Sequence, residues 1–305
     1  MDGVLPLRKP AGMTSHDAVA KVRKILGIRR IGHTGTLDPD VTGVLPLCIG
    51  KATRAVEWLQ ELPKEYEAVM RIGMATDTGD LGGQVTERIE RARVTEEEVE
   101  RTLERFRGII TQVPPMYSAV RVGGKRLYEL AREGLEVERK ARQVTIHELE
   151  ALRMNLELPH PEVGLRVLCS KGTYIRTLCE DIGRALGYPA VMSGLVRTSS
   201  GGIRLEECLE LDEIESLHKA GKLADRLIPV DRALGHFPSC VVSGKHLRKA
   251  LSGAALSLED TVNLPEERRH GNETRFRIYL ENGMFVGVYS LDKTRRLLKP
   301  VKVFA

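Results

Sequence analysis

The chain has 305 residues, long enough for one or two domains with real cores. With 42% hydrophobic and 29% charged residues it reads as an ordinary globular protein, and disorder is set aside. Its net charge of +5 leans toward an anionic partner; no apolar run approaches the roughly 18 residues of a membrane span, the N-terminus MDGVLPLRKP lacks a secretory apolar core, and a cytoplasmic location is expected.

Ser15 is placed to cap a helix in which Val19, Val22, Ile25 and Leu26 recur on one face and Gly27 ends the run. That helix leads into GHTGTLDPDVTG, where Asp38 precedes Pro39. An Asp-Pro pair shapes turns and biases the acid to extended backbone. Gly32 and Gly35 also permit unusual backbone angles and close approach of a ligand, while Pro39 stiffens the far side. From these residues alone, Asp38 fits both a turn and a carboxylate held in a fixed, exposed pose.

VLPLCIG then has the length of a buried strand, and YEAVMRIGM is a second strand-like segment. Thr95 and Glu98 form a capping box ahead of Val99, Leu103 and Phe106, which predicts a helix of about three turns with a charged outer face. Between 113 and 142 the character changes: a Pro114-Pro115 break, a Gly123-Gly124 turn and a short helical RLYELARE. Residues 121 to 142 carry seven Lys/Arg against four Glu, most of the chain's net charge, and a solvated hairpin and helix would also explain them. VGLRVLC predicts a strand, joined through Ser170-Lys171-Gly172-Thr173 to a helix with Tyr174, Leu178, Ile182 and Leu186 on its apolar face. LIPVDRALGHFP marks a boundary, after which FRIYL and MFVGVYS flank Glu281-Asn282-Gly283, a hairpin signal within a small β domain.

Several chemistries are poorly supported. The SKGT loop lacks the earlier glycine and the order of a nucleotide phosphate loop. Asp77-Thr78-Gly79-Asp80 lacks the other ligands of a calcium loop and reads as a turn. The histidines show no paired metal spacing, and the five scattered cysteines have no C-x-x-C pair, so neither a zinc site nor a disulfide framework is expected.

Five blocks in order, KPAGMTSHD, GHTGTLDPDVTGVLPLCIGKATR, YEAVMRIGMATDTGD, VPPMYSAVRVGGKRLYELAREG and CSKGTYIRTLCEDIG, closely resemble the bacterial tRNA pseudouridine synthase B family over most of residues 8 to 200. The resemblance implies an α+β fold: a catalytic domain around a largely antiparallel mixed sheet over residues 1 to 230, with an RNA-binding insertion at 113 to 142, and a small PUA-like β domain over 235 to 305. It also implies isomerisation of the T-loop uridine at tRNA position 55 to pseudouridine, with no cofactor and no metal. The implied partner is the tRNA T-arm, with no membrane, no required protein partner and a monomeric chain.

Residue by residue, Asp38 matches the family's catalytic aspartate, as nucleophile or as charge partner, and Arg176 matches the arginine that pairs with it. Tyr66 matches the tyrosine that stacks on the target base and takes part in a proton step. His33 matches a loop histidine that fills space left by flipped nucleotides, and Tyr174 and Leu195 match positions lining the base pocket. Lys9 and Pro10 fit the N-terminal block, bracing the loop and touching RNA. Arg121, Lys125 and Arg126 lie in the insertion that folds over the T-loop, where they would meet phosphates. Arg295, Arg296 and Lys299 would reach toward the acceptor stem. Without the resemblance, Tyr66, Tyr174 and Leu195 read as core residues and Arg176 as a surface residue near a helix start. Two further readings compete: a tRNA-binding folding helper and a guide-RNA-dependent pseudouridine synthase.

Overall fold

The computed structural model describes residues 1–263 and 275–305. The apolar runs found in the sequence become the strands of one large sheet. Its strands lie in the order Gly3–Lys9, Thr42–Ile49, Ala190–Ser200, Lys64–Ile72, Glu162–Cys169, Arg142–Asn155 and Gly108–Gln112, and Ile31–His33 and Ile203–Arg204 extend it to nine strands. Every pairing along that order is antiparallel except one. Ala190–Ser200 runs parallel to Thr42–Ile49 over two pairs, Val196 with Thr42 and Arg197 with Gly43. The fold is therefore the mixed, largely antiparallel α+β architecture expected.

The parallel contact depends on Gly43. Its φ is +114°, and a Cβ there would lie 2.2 Å from the Arg197 carbonyl oxygen and 2.7 Å from the Arg197 nitrogen. A side chain would push the two strands apart. A glycine also divides the second predicted strand: Gly73, at φ +105°, ends Lys64–Ile72, and Met74–Thr76 turns away to pair with Val85–Arg88.

The first helix spans Ser15–Leu26 and stops at Gly27, whose φ is +66°. Its cap is Thr14, one residue before the expected Ser15. The Thr14 hydroxyl accepts from the Asp17 N–H at 3.1 Å while the Asp17 carboxylate accepts from the Thr14 N–H at 3.0 Å, a complete capping box. The Ser15 hydroxyl is thereby left for another task. Thr95 and Glu98 cap Glu96–Glu104 in the same way, as the pattern predicts.

Two apolar clusters cover the sheet. In one, Leu5, Leu7, Leu45 and Leu47 pack with Val19, Val22 and Ile214; in the other, Met70, Ile72, Leu165 and Val167 pack with Leu103, Leu178 and Ile182. Tyr66 and Leu195 touch both clusters, so they stand at the seam between them.

A second sheet of six strands holds the C-terminal part. Arg275–Leu280 and Phe285–Asp292 pair antiparallel around Gly283, which takes φ +82° in the hairpin predicted at Asn282-Gly283. This small β unit rests on the large one through Trp58. The Trp58 ring meets Phe237 edge-on at 5.6 Å, and Lys302 Nζ lies 4.9 Å over it while pairing with Glu57 at 2.7 Å. Among the described residues no helix is long and apolar enough to cross a membrane.

Candidate active site

The loop carrying Asp38 leaves the short strand Ile31–His33 and re-enters the sheet at Thr42. A loop with free backbone groups would wander, yet five consecutive carbonyls here each have a donor. The Gly35 and Thr36 carbonyls accept from Arg197 Nη2 at 3.1 Å and Nη1 at 3.5 Å. The Leu37 carbonyl accepts from the Ser15 hydroxyl, and that of Asp38 from the Val41 N–H, both at 3.1 Å. The Pro39 carbonyl accepts from Lys9 Nζ at 2.9 Å and from the Gly12 N–H at 3.1 Å. A backbone so fully paired holds its side chains at fixed angles.

Asp38 projects from this loop onto Arg176, whose Nη2 is 2.9 Å from Oδ2. Arg176 is no surface residue: it is 6% exposed, in the first turn of the helix Ile175–Leu186. The guanidinium also donates to the carbonyls of Thr78 and Tyr117, both at 2.8 Å, and lies 3.7 Å from the Asp80 carboxylate. Four groups from three separate stretches of chain thus converge on one cation. Among them is Tyr117, at the start of the basic segment 113 to 142.

Asp80 was legible only as a turn residue, and it does make the turn. Its Oδ1 accepts from the Thr78 hydroxyl at 2.7 Å and the Gly82 N–H at 3.1 Å. The other carboxylate oxygen is what faces Arg176. Burial raises the Asp38 pKa above its ordinary 3.8; Arg176 pulls it back, and the like charge of Asp80 adds to the rise. Net, the proton is held more tightly than on a free aspartate, while the side chain stays 46% exposed and open to an incoming substrate.

Tyr66 lies half-buried on Lys64–Ile72, directly across from Arg197 on the neighbouring strand. Burial pushes its phenol upward, against the opposing pull of the Arg197 charge. Leu195, two residues before Arg197, pairs with Ala68 and shares the seam with Tyr66. His33 closes the loop's other side. Its Nδ1 accepts from the Gly35 N–H at 3.3 Å, and burial pushes the imidazole down toward its neutral form.

Tyr174 caps the helix Ile175–Leu186 instead of belonging to its apolar face. Its backbone is gripped by the Gln112 side chain at both N–H, 3.0 Å, and carbonyl, 3.2 Å, while Arg142 stacks 5.2 Å over the ring. Lys9 is fully buried: besides Pro39, its ammonium donates to the carbonyls of Pro10 at 2.8 Å and Met13 at 2.7 Å. That geometry braces the loop and leaves the ammonium no exposed face for RNA.

Arg121, Lys125 and Arg126 all sit exposed on a two-stranded hairpin formed by Arg121–Val122 and Lys125–Arg126. Lys125 pairs with Glu133 at 3.0 Å, and Arg126 lies 5.8 Å over the Tyr128 ring. In the small β unit, Lys299 pairs with Asp292 at 2.8 Å.

The principal residue missed by sequence reasoning is Arg197. It lies on the 11-residue strand Ala190–Ser200, and a charge inside so apolar a run was the one signal that pointed to it.

Comparison with known proteins adds to this geometry. Residues 23–175 match the model of the TruB family pseudouridylate synthase N-terminal domain, and residues 176–235 that of the tRNA pseudouridylate synthase B C-terminal domain. The tRNA pseudouridine synthase B of Bacillus licheniformis is 47% identical over 308 residues, covering 99% of this chain and 97% of that protein. Its namesake in Geobacillus thermodenitrificans is 50% identical over 262 residues, covering 85% and 86%. Among solved structures, a chain of a Cbf5-Nop10-Gar1 complex superposes with a TM-score of 0.77 at 29% identity, covering 99% of this chain and 85% of that one.

Proposed function

Because the chain belongs to the TruB family of pseudouridylate synthases, we propose that it acts alone on tRNA and isomerises the T-loop uridine at position 55, with Asp38 as the reacting carboxylate. The observation that carries this reading is the Asp38 and Arg176 pair at 2.9 Å, set beside the seam where Tyr66 and Leu195 meet.

The reaction balances within one nucleotide. The bond from ribose C1′ to uracil N1 breaks, a bond from C1′ to C5 forms, and the proton displaced from C5 leaves while N1 gains one. A carboxylate serves this chemistry by attacking the sugar or the base, or by steering an elimination at the ribose. Each route needs an anion aimed at one spot. Arg176 supplies the aim, and the paired backbone of residues 35 to 39 keeps it.

The target base must leave its stack, at a cost of a few kcal/mol. In this reading the Tyr66 ring offers it a stacking face, Tyr174 and Leu195 wall the pocket, and His33 fills the space that the flipped nucleotides vacate. Residues 113 to 142 close over the T-arm, with Arg121, Lys125 and Arg126 on phosphates. We assign residues 1 to 230 to catalysis and 235 to 305 to a PUA-like module reaching toward the acceptor stem.

The test is to incubate unmodified tRNA transcript with the purified protein alone and map pseudouridine by position. Modification at position 55 is expected. Product at another position would overturn the target assignment, and product only when a guide RNA is added would overturn the stand-alone reading.

A further inference from the structure

We propose that Arg197 is the positioning residue of this reaction: its buried guanidinium holds the backbone of the Asp38 loop and the phenol of Tyr66 in one fixed relation. The inference rests on the assignment of Asp38 above and goes beyond it, to what makes that carboxylate and the stacking ring a single unit.

Among the described residues Arg197 is the largest side chain that is wholly enclosed, at 1% exposure. Its Nε donates to the Val44 carbonyl at 2.6 Å, Nη2 to Gly35 at 3.1 Å and Nη1 to Thr36 at 3.5 Å. Tyr66 is the residue paired directly with Arg197 across the two strands, near enough for the guanidinium charge to pull on its phenol. All three hydrogen-bond partners are uncharged carbonyl oxygens. Taking a cation out of water costs several kcal/mol, and neutral partners return less of that cost than a carboxylate would. A neutral side chain of similar volume would pack this strand more cheaply, which leaves the geometry of the fork as the reason for a guanidinium here.

That geometry is specific. Arg197 is the residue at which three strands meet, paired antiparallel with Tyr66 and parallel with Gly43. Gly43 lets the Arg197 backbone come this close, since any Cβ would collide with it. From that point a planar fork reaches the Val44 carbonyl and the two loop carbonyls of Gly35 and Thr36, beside the ring of Tyr66 on the paired strand. Lysine has one ammonium on a flexible stem and cannot span the same oxygens.

The experiment compares wild type, Arg197→Lys, Tyr66→Phe and the double variant. Single-turnover pseudouridine formation and tRNA affinity are measured on each, with thermal melts alongside. Arg197→Lys is expected to lower the single-turnover rate by at least about 30-fold with affinity held within about threefold. Tyr66→Phe keeps the stacking face and removes the phenol oxygen on the residue paired with Arg197, so it too should slow the step with affinity held. The double variant should be less impaired than the product of the two losses.

An Arg197→Lys enzyme at the wild-type rate overturns the proposal, as does a loss that appears equally in rate and affinity, the signature of general unfolding. Should Arg197→Lys fail to melt cooperatively, Arg197→Gln takes its place in the cycle: a wild-type rate overturns the proposal, and a slowed rate with intact binding that is non-additive with Tyr66→Phe supports it. Asp38→Asn runs in parallel. If it stays active, the assignment of Asp38 fails; if it is dead beside a full-rate Arg197→Lys, only the present inference fails.

Discussion

The Ser15 hydroxyl accepts from the Leu37 N–H at 2.8 Å and donates to the Leu37 carbonyl at 3.1 Å, so one oxygen on the first helix fixes the residue next to Asp38. Both backbone groups of Leu37 are buried in this contact. Ser15→Ala should therefore leave two buried backbone groups unpaired and cost about 1–3 kcal/mol. Urea denaturation measures it. An unchanged midpoint would show that the loop has other support.

Gly43→Ala should be far more damaging, because the new Cβ would sit 2.2 Å from the Arg197 carbonyl oxygen in a backbone conformation of φ +114° that alanine resists. A loss of at least about 3 kcal/mol is expected, from steric separation of the parallel strands. Circular dichroism melts of the variant check this, and a melting temperature equal to wild type would contradict the close approach.

The pH dependence follows from Asp38. Its folded pKa lies above the ordinary 3.8, so the folded state holds this proton more tightly than the unfolded chain does. The stability it contributes is present in acid and is lost as pH rises from 3.8 through the folded value. The anion that the proposed reaction uses disappears over the same window as pH falls. Asp80→Asn removes the neighbouring like charge and should move the acid limb of the single-turnover rate to lower pH. A limb that stays in place would separate Asp80 from the site.

The exposed cations of the insertion carry a different expectation. Replacing Arg121, Lys125 and Arg126 with glutamine should weaken tRNA binding and flatten its salt dependence, by roughly 0.7 to 0.9 in logarithmic slope for each phosphate contact removed. A filter-binding titration across salt concentration reads the slope. An unchanged slope would take this hairpin off the RNA interface.

Much of this arrangement was written locally. The apolar runs, the Thr95 and Glu98 capping box and the Asn282-Gly283 hairpin depend on neighbours a few residues apart, and each formed as the pattern predicts. Thr14 displaced Ser15 as the cap because Asp17 completes a box with Thr14, a local pairing that the sequence did contain. The supports of Asp38 were of another kind. Arg197 is 162 residues from the Gly35 carbonyl it binds, and Arg176 is 98 residues from the carbonyl of Thr78. Only sheet topology brings them together. Asp80 likewise gave a true turn signal that hid its second task, since nothing in Asp77-Thr78-Gly79-Asp80 tells which way a carboxylate will face. Family resemblance reached Arg176 and Tyr66 but passed over Arg197, whose partners are carbonyls and so leave no side-chain motif.

The most direct test of the whole account is single-turnover conversion of unmodified tRNA transcript by Asp38→Asn. The amide keeps the size of the carboxylate and removes its charge, so the site opposite Arg176 remains filled. The account predicts no pseudouridine at position 55, with tRNA affinity within about threefold of wild type. Pseudouridine formed by that variant at the wild-type rate would contradict it.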